Sequence, residues 1–278
     1  PDDFFFDATL GSGGHTQAIA SSMNSQGEIV ACDVDPQAIA DAKSWVTSYS
    51  VPITLVQNNF VQIENIVADY SNRRPSAILA DLGWRSEQFA ESARGFSFAS
   101  DETLLMTYGN PDEYLLTAKD IINDWEEKDI ANVLFGYGEE RYARRIAALI
   151  VEKRQSEPIE TTKQLVSIIE QAVPTKYKKN RIHPATKSFQ ALRIAVNDEL
   201  EKLEEFLNKA WQVLNPGGRL VIISFHSLED RIVKRKFKDL SQTTQAQLPH
   251  KKPVTASPVE IQNNPKARSA KLRTIKKL

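Results

Sequence analysis

A chain of 278 residues, 41% apolar and 26% charged, is long enough for about two domains with sizeable cores. No apolar run reaches the roughly 18–20 residues of a membrane span, no secretory signal is visible, and the single Cys32 excludes an internal disulfide, so a cytoplasmic protein with no membrane partner is expected. The net charge of −1 conceals a split: from Lys234 onward twelve Lys/Arg face two acids, a net of +10, which leaves −11 on the first 233 residues. That asymmetry fits an acidic body with a basic arm for a polyanion, or a solvated tail.

The chain opens on an apolar run, Phe4-Phe5-Phe6, that ends in Asp7, crosses Gly11-Ser12-Gly13-Gly14 and enters the helix-like His15-Thr16-Gln17-Ala18-Ile19-Ala20. This reads as strand, tight turn and helix start, with glycines where a backbone passes close to a ligand. A second run, Ile29-Val30-Ala31-Cys32, ends in Asp33. An acid about 20 residues after the glycines commonly hydrogen-bonds the ribose hydroxyls of a nucleotide-like cofactor. A dinucleotide fingerprint needs a third glycine where this chain carries Thr16, and Asp7 would repel a pyrophosphate. The acids suit a cofactor bearing an ammonium and a sulfonium, which describes S-adenosylmethionine.

A helix over 35–43 and a strand Ile53–Gln57 follow, leading to Phe60, whose ring lies against a purine or in ordinary core. A fourth strand, Ala77–Ala80, ends in Asp81-Leu82-Gly83. Alternating short apolar runs and helices predict an α/β fold with a doubly wound, Rossmann-like parallel sheet. Ligands in such sheets sit beyond the carboxyl ends of the strands, where Asp7, Asp33, Phe60 and Asp81 all fall.

From about residue 85 the strand rhythm stops. Arg94-Gly95-Phe96-Ser97-Phe98 reads as a loop, and helices are expected over 112–119, 126–135, 139–152 and 161–173, so residues 105–185 form an inserted helical domain. Within it, Lys176, Lys178, Lys179, Arg181 and Lys187 gather with Tyr177 and His183, and no acid occurs from Pro174 through Asn197. Clustered positive charge beside an aromatic suits RNA more than a plain surface loop. No Cys/His cluster accompanies His183, so no metal is expected. One long helix is expected from 189 to 214, its face Leu192, Val196, Leu200, Leu203 and Leu207 packing on the sheet, before a last core strand at 219–225. The expected organisation is thus core 1–104 and 186–235, insertion 105–185, and basic C-terminal arm 236–278.

Several stretches carry a resemblance. Asp7-Ala8-Thr9-Leu10-Gly11-Ser12-Gly13-Gly14-His15, Arg94-Gly95-Phe96-Ser97-Phe98 and Tyr137-Gly138-Glu139-Glu140-Arg141 are three of them. His183-Pro184-Ala185-Thr186, Ser224-Phe225-His226-Ser227-Leu228-Glu229-Asp230-Arg231 and Asn264-Pro265-Lys266-Ala267-Arg268 are others. In order and over essentially the whole chain these resemble the RsmH (MraW) family, which methylates N4 of a cytidine in the decoding region of small-subunit ribosomal RNA. The resemblance implies cofactor contacts at Gly13, Gly14, His15, Asp33, Phe60, Asp81 and Gln88; His15 and Gln88 rest on it alone. Two departures stand out. Asp81-Leu82-Gly83 continues as Trp84-Arg85-Ser86-Glu87, where the family usually reads Val-Ser-Ser-Pro. Leu104-Leu105-Met106-Thr107-Tyr108-Gly109 stands where the family has Leu-Asp-Met-Arg-Met-Asp, losing two acids and an arginine near the catalytic mouth.

The implied reaction is displacement at a sulfonium methyl by a cytidine amine whose lone pair is delocalised. A hydrogen-bond acceptor on that N–H sharpens the nucleophile and takes its proton. Asp81 is the candidate acceptor, and Trp84 the candidate stacking surface for an extruded base. Arg268, Lys271 and Arg273 join the lysine-rich loop as RNA-binding candidates. The expected partner is small-subunit rRNA or a partly assembled 30S-type subunit, with a homodimer left open. The altered 104–109 run supports a competing expectation, a cofactor-binding rRNA chaperone or assembly factor with impaired catalysis.

Overall fold

Three consecutive phenylalanines need burial on both faces of a sheet, and they receive it. In the computed structural model, which describes residues 3–83, 93–98, 100–178 and 182–278, strand β1 (Phe4–Asp7) is buried along its whole length. It pairs in parallel with β2 (Glu28–Asp33) on one side and β4 (Ala77–Asp81) on the other. Outside these lie β3 (Ile53–Gln57) and β5 (Arg219–Ser224), also parallel. The chain therefore runs outward from β1 through β2 and β3, then crosses back to β4. Between β1 and β4 the direction of winding reverses, which opens a crevice at the carboxyl ends.

Alternation sorts the strand residues onto two faces. Phe4, Phe6, Val30, Ile78 and Ile222 pack with Ile63 and Ile66 of the helix Ile63–Tyr70, Phe206 of Glu199–Val213 and Phe237 of Ser227–Ser241. Phe5, Ile29 and Leu79 face the opposite side with Ala20 and Val51.

The C-terminal stretch departs from the expected arm. Strand β8 (Lys271–Lys277) runs antiparallel to β5, and the two-residue strands β6 (Ala246–Gln247) and β7 (Val254–Thr255) pair with it. Three of its four positive charges are engaged within the fold. Lys277 Nζ donates to the carbonyls of Trp211, Gln212 and Leu214, groups that a helix end leaves unpaired. Lys271 and Arg273 are held by Asp230 at 3.0 and 2.6 Å.

The chain divides into two compact units, Pro1–Trp84 with Leu200–Leu278, and Arg85–Glu199. The helical unit is thus longer than the expected 105–185. Its core gathers Leu134, Ile146, Ile150, Leu165 and Leu192 from the helices Glu127–Gly136, Ala143–Arg154, Thr162–Ala172 and Thr186–Asn197. The helix expected over 112–119 begins instead at Ala118, behind a capping box of Thr117 and Asp120.

The single helix expected over 189–214 is two, broken at Asp198, which takes a left-handed backbone at φ 49°. Asn197 explains the break. Its Nδ2 donates to Met106 O at 2.7 Å and Arg193 O at 2.8 Å, and its Oδ1 accepts Tyr108 N–H at 3.0 Å. Arg193 spans the break with a two-pronged pair to Glu199 at 2.7 and 2.8 Å. The first half then serves the helical core and the second the sheet. Among the described residues no helix is long and apolar enough to cross a membrane.

Candidate active site

Parallel pairing brings the last residues of β1, β2 and β4, namely Asp7, Asp33 and Asp81, to one edge of the sheet. Each carboxylate has a different task. Asp7 is fully buried, and its Oδ2 accepts the Thr16 hydroxyl at 2.6 Å while Oδ1 accepts Thr9 N–H at 3.1 Å. Burial pushes its carboxyl up to about 6, against the lowering influence of those two hydrogen bonds and of His15. Asp33 organises the glycine loop: Oδ2 accepts Gly11 N–H at 2.8 Å and Oδ1 accepts Asp35 N–H at 2.9 Å. Asp81 donates its backbone N–H to the Thr9 hydroxyl at 2.7 Å, and its Oδ2 lies 3.4 Å from His15 Nε2. That hydrogen bond raises the His15 pKa above the ordinary imidazole value, with burial opposing it.

The other oxygen of Asp81 is the informative atom. Oδ1 is buried and has no hydrogen-bond partner among the described residues. A buried carboxylate oxygen without a donor is costly, which makes it a receptor for a cation or an N–H brought by a ligand. The glycine loop packs against Trp45 at Gly13 and is open at Gly14. Gly13 takes φ 81°, and a Cβ there would stand 2.2 Å from the Trp45 ring, whereas a Cβ at Gly14 would meet nothing within 4 Å. Three carboxylates, an unpartnered acceptor and a bare backbone fit a group carrying an ammonium and a sulfonium on a nucleoside. Asp33, Gly13, Gly14 and Asp81 are the residues placed to hold it.

Of the two readings of Phe60, the structure displays a core contact. It opens a short 3-10 turn after β3, is half-buried, and sets its ring edge against Phe206 at 5.0 Å. Trp84, Gln88, Lys179 and Arg181 lie outside the described residues.

Among the RNA candidates the structure separates engaged from available groups. His183 is built into the fold: its ring stacks on Phe98 at 4.6 Å, Nδ1 accepts Ala185 N–H at 3.2 Å, and Nε2 lies 3.6 Å from Glu170. Lys187 Nζ donates to Glu139 O at 2.8 Å. Lys271 and Arg273 are committed to Asp230, as described above. Lys176, Lys178 and Arg268 are exposed.

Thr9, which bridges Asp7 and Asp81, drew no notice in the sequence, and Thr16, noted there only in place of a third glycine, holds Asp7. Arg94 is a second omission. Its Nη1 donates to the carbonyls of Thr107, Tyr108 and Gly109 at 3.2, 2.8 and 2.9 Å, so the altered run is held by its backbone.

Known proteins give this geometry a setting. The family model described as the MraW methylase family matches residues 1–278. A Brevibacillus brevis protein named ribosomal RNA small subunit methyltransferase H is 41% identical over 293 residues, covering 100% of this chain and 93% of its own length. Proteins of the same name from Trichormus variabilis and Synechococcus elongatus are each 45% identical, over 98% and 97% of this chain and 85% and 86% of their own lengths. The chain belongs to the MraW methylase family.

Proposed function

We propose that this protein transfers a methyl group from S-adenosylmethionine to the N4 amine of a cytidine in the decoding region of small-subunit ribosomal RNA, free or within a partly assembled subunit in the cytoplasm. Family membership supports the reaction class. The buried Oδ1 of Asp81, without a hydrogen-bond partner among the described residues, is the observation that carries the chemistry. When bound, S-adenosylmethionine supplies an electrophilic methyl on a sulfonium.

The chain's own residues do the rest. The glycine loop, tied to Asp33 through Gly11 N–H, presents bare backbone at the sheet edge. Thr9 fixes the Asp81 main chain, and His15 occupies Oδ2, which leaves Oδ1 to accept the amine proton. Alignment of amine, methyl and leaving group supplies much of the remaining acceleration. Labelled methyl transfer to undermodified small subunits, read by nucleoside mass spectrometry, tests the reading. Asp81→Ala is expected to slow turnover by about 10²–10⁴-fold. Normal turnover in that variant rejects the acceptor role.

The two acids and the arginine missing from 104–109 favour a second reading, an rRNA-binding assembly factor that retains the cofactor without methylating. Unaltered protein that binds S-adenosylmethionine yet transfers no label in the same assay selects it.

A further inference from the structure

The helical unit carries a cation–aromatic arrangement that the acid edge does not use. Tyr137-Gly138-Glu139-Glu140-Arg141 joins the helices Glu127–Gly136 and Ala143–Arg154. Glu139 takes a left-handed backbone at φ 50°, after which Glu140 is fully buried and Arg141 exposed. Glu140 is fully engaged: Oε1 accepts Tyr142 N–H at 2.8 Å and Oε2 accepts the Tyr177 hydroxyl at 2.7 Å. That second bond pins the Tyr177 ring from a distant part of the chain. The Tyr142 and Tyr177 rings meet edge to face with centroids 5.0 Å apart. The Arg141 guanidinium carbon lies 4.7 Å from one centroid and 4.9 Å from the other.

Among the described residues Arg141 makes no ion pair, so the rings position its charge without neutralising it. The surroundings add to that charge. Lys176 and Lys178 flank Tyr177 and are exposed, and Arg144 and Arg145 are exposed in the first turn of the helix that follows Tyr142. Positive side chains at that end oppose the helix macrodipole, a cost that an approaching anion relieves. Glu139 is the exposed acid of the connecting stretch.

We propose that Arg141, Tyr142 and Tyr177 form a clamp for single-stranded RNA, an inference that rests on the ribosomal RNA reading and gives it a contact surface in the helical unit. A guanidinium held over two rings, with no ion pair among the described residues, offers a fork to phosphate, and the tyrosines give a base a π surface. An acidic peptide would satisfy the charges but leave the rings unused, so RNA is the occupant the chemistry favours.

The test is fluorescence anisotropy of the full chain with a labelled single-stranded RNA of about twelve nucleotides, a span within the range of such sites. It is run across a salt series, with polyglutamate of matched charge as competitor. Calorimetry with S-adenosylmethionine and circular dichroism are run on the same samples. Arg141→Ala is expected to weaken RNA binding about tenfold and to lower the salt slope by about one. Arg141→Lys, which keeps the charge and loses the planar face, is expected to restore the slope and only part of the affinity. Tyr177→Phe keeps the ring but releases it from Glu140, and is expected to weaken binding less than Arg141→Ala. Undiminished RNA affinity in folded Arg141→Ala, or in Arg141→Lys should the alanine variant not fold, overturns the clamp. Displacement of RNA by polyglutamate overturns the choice of RNA. Absence of heat with S-adenosylmethionine in the unaltered protein overturns the methyl-transfer reading and leaves the RNA result to stand alone.

Discussion

Asp7 is a fully buried carboxylate in the strand that every other part of the sheet is built around, and replacing it with asparagine separates its charge from its shape. Its carboxyl is raised from 3.8 to about 6, chiefly by burial. Between those two values the unfolded chain has released its proton while the folded chain keeps it. Folding stability therefore falls as pH rises through this window and levels off above it. The size of the effect follows from the elevation at 1.36 kcal/mol per pH unit, about 3 kcal/mol, with no screening discount because the group is fully buried. The asparagine side chain keeps an oxygen for Thr9 N–H and turns an amide toward the Thr16 hydroxyl, which can accept as well as donate. In urea denaturation followed by circular dichroism, Asp7→Asn is expected to gain on the unaltered protein by up to about 3 kcal/mol between roughly pH 4 and pH 7. The same variant is expected to bind S-adenosylmethionine more weakly at neutral pH, since one carboxylate of the acid edge is lost. A stability difference that does not change with pH would refute the reasoning.

Gly13→Ala forces a left-handed backbone on a residue with a Cβ that stands 2.2 Å from the Trp45 ring; it is expected to cost about 1–3 kcal/mol and to abolish the heat of cofactor binding, and an unchanged melting temperature would contradict this. Burial pushes the Asp230 carboxyl up, but hydrogen bonds from Arg273 and Lys271 outweigh it and hold the pKa below the ordinary value. Its contribution is therefore present above the ordinary carboxylate range and lost as pH falls through the lowered value. Asp230→Ala strands a mostly buried guanidinium and is expected to cost about 3 kcal/mol at neutral pH, read as a lower urea midpoint.

The acid edge was legible because its elements are local: each strand ends in its own carboxylate, and a parallel sheet has only one way to align such ends. The 3–4 spacing of Val196, Leu200 and Leu203 concealed the break at Asp198, because periodicity reports which residues are apolar and not which core they enter. What breaks the helix is Asn197 reaching residues 106 and 108, contacts far away in sequence. Strand β8 was hidden for another reason. Lys271-Leu272-Arg273-Thr274-Ile275-Lys276-Lys277 reads as a basic tail because its charges are conspicuous, while Asp230 and the carbonyls that absorb them lie elsewhere in the chain. Likewise, no local pattern links Glu140 to Tyr177, since the bond between them joins a connecting stretch to the short helix Thr175–Lys178 across an intervening pair of helices.

Strand β8 also has a consequence for biogenesis. Synthesis delivers it only after every parallel strand has been made, so β5 waits with one row of backbone amides and carbonyls unmatched. Products truncated before Ala270 would keep that raw border permanently, inviting edge-to-edge association. Lys271, Arg273 and Lys277 thus act as the final stitch of the sheet, and a fusion or deletion placed there is expected to be felt first as insolubility.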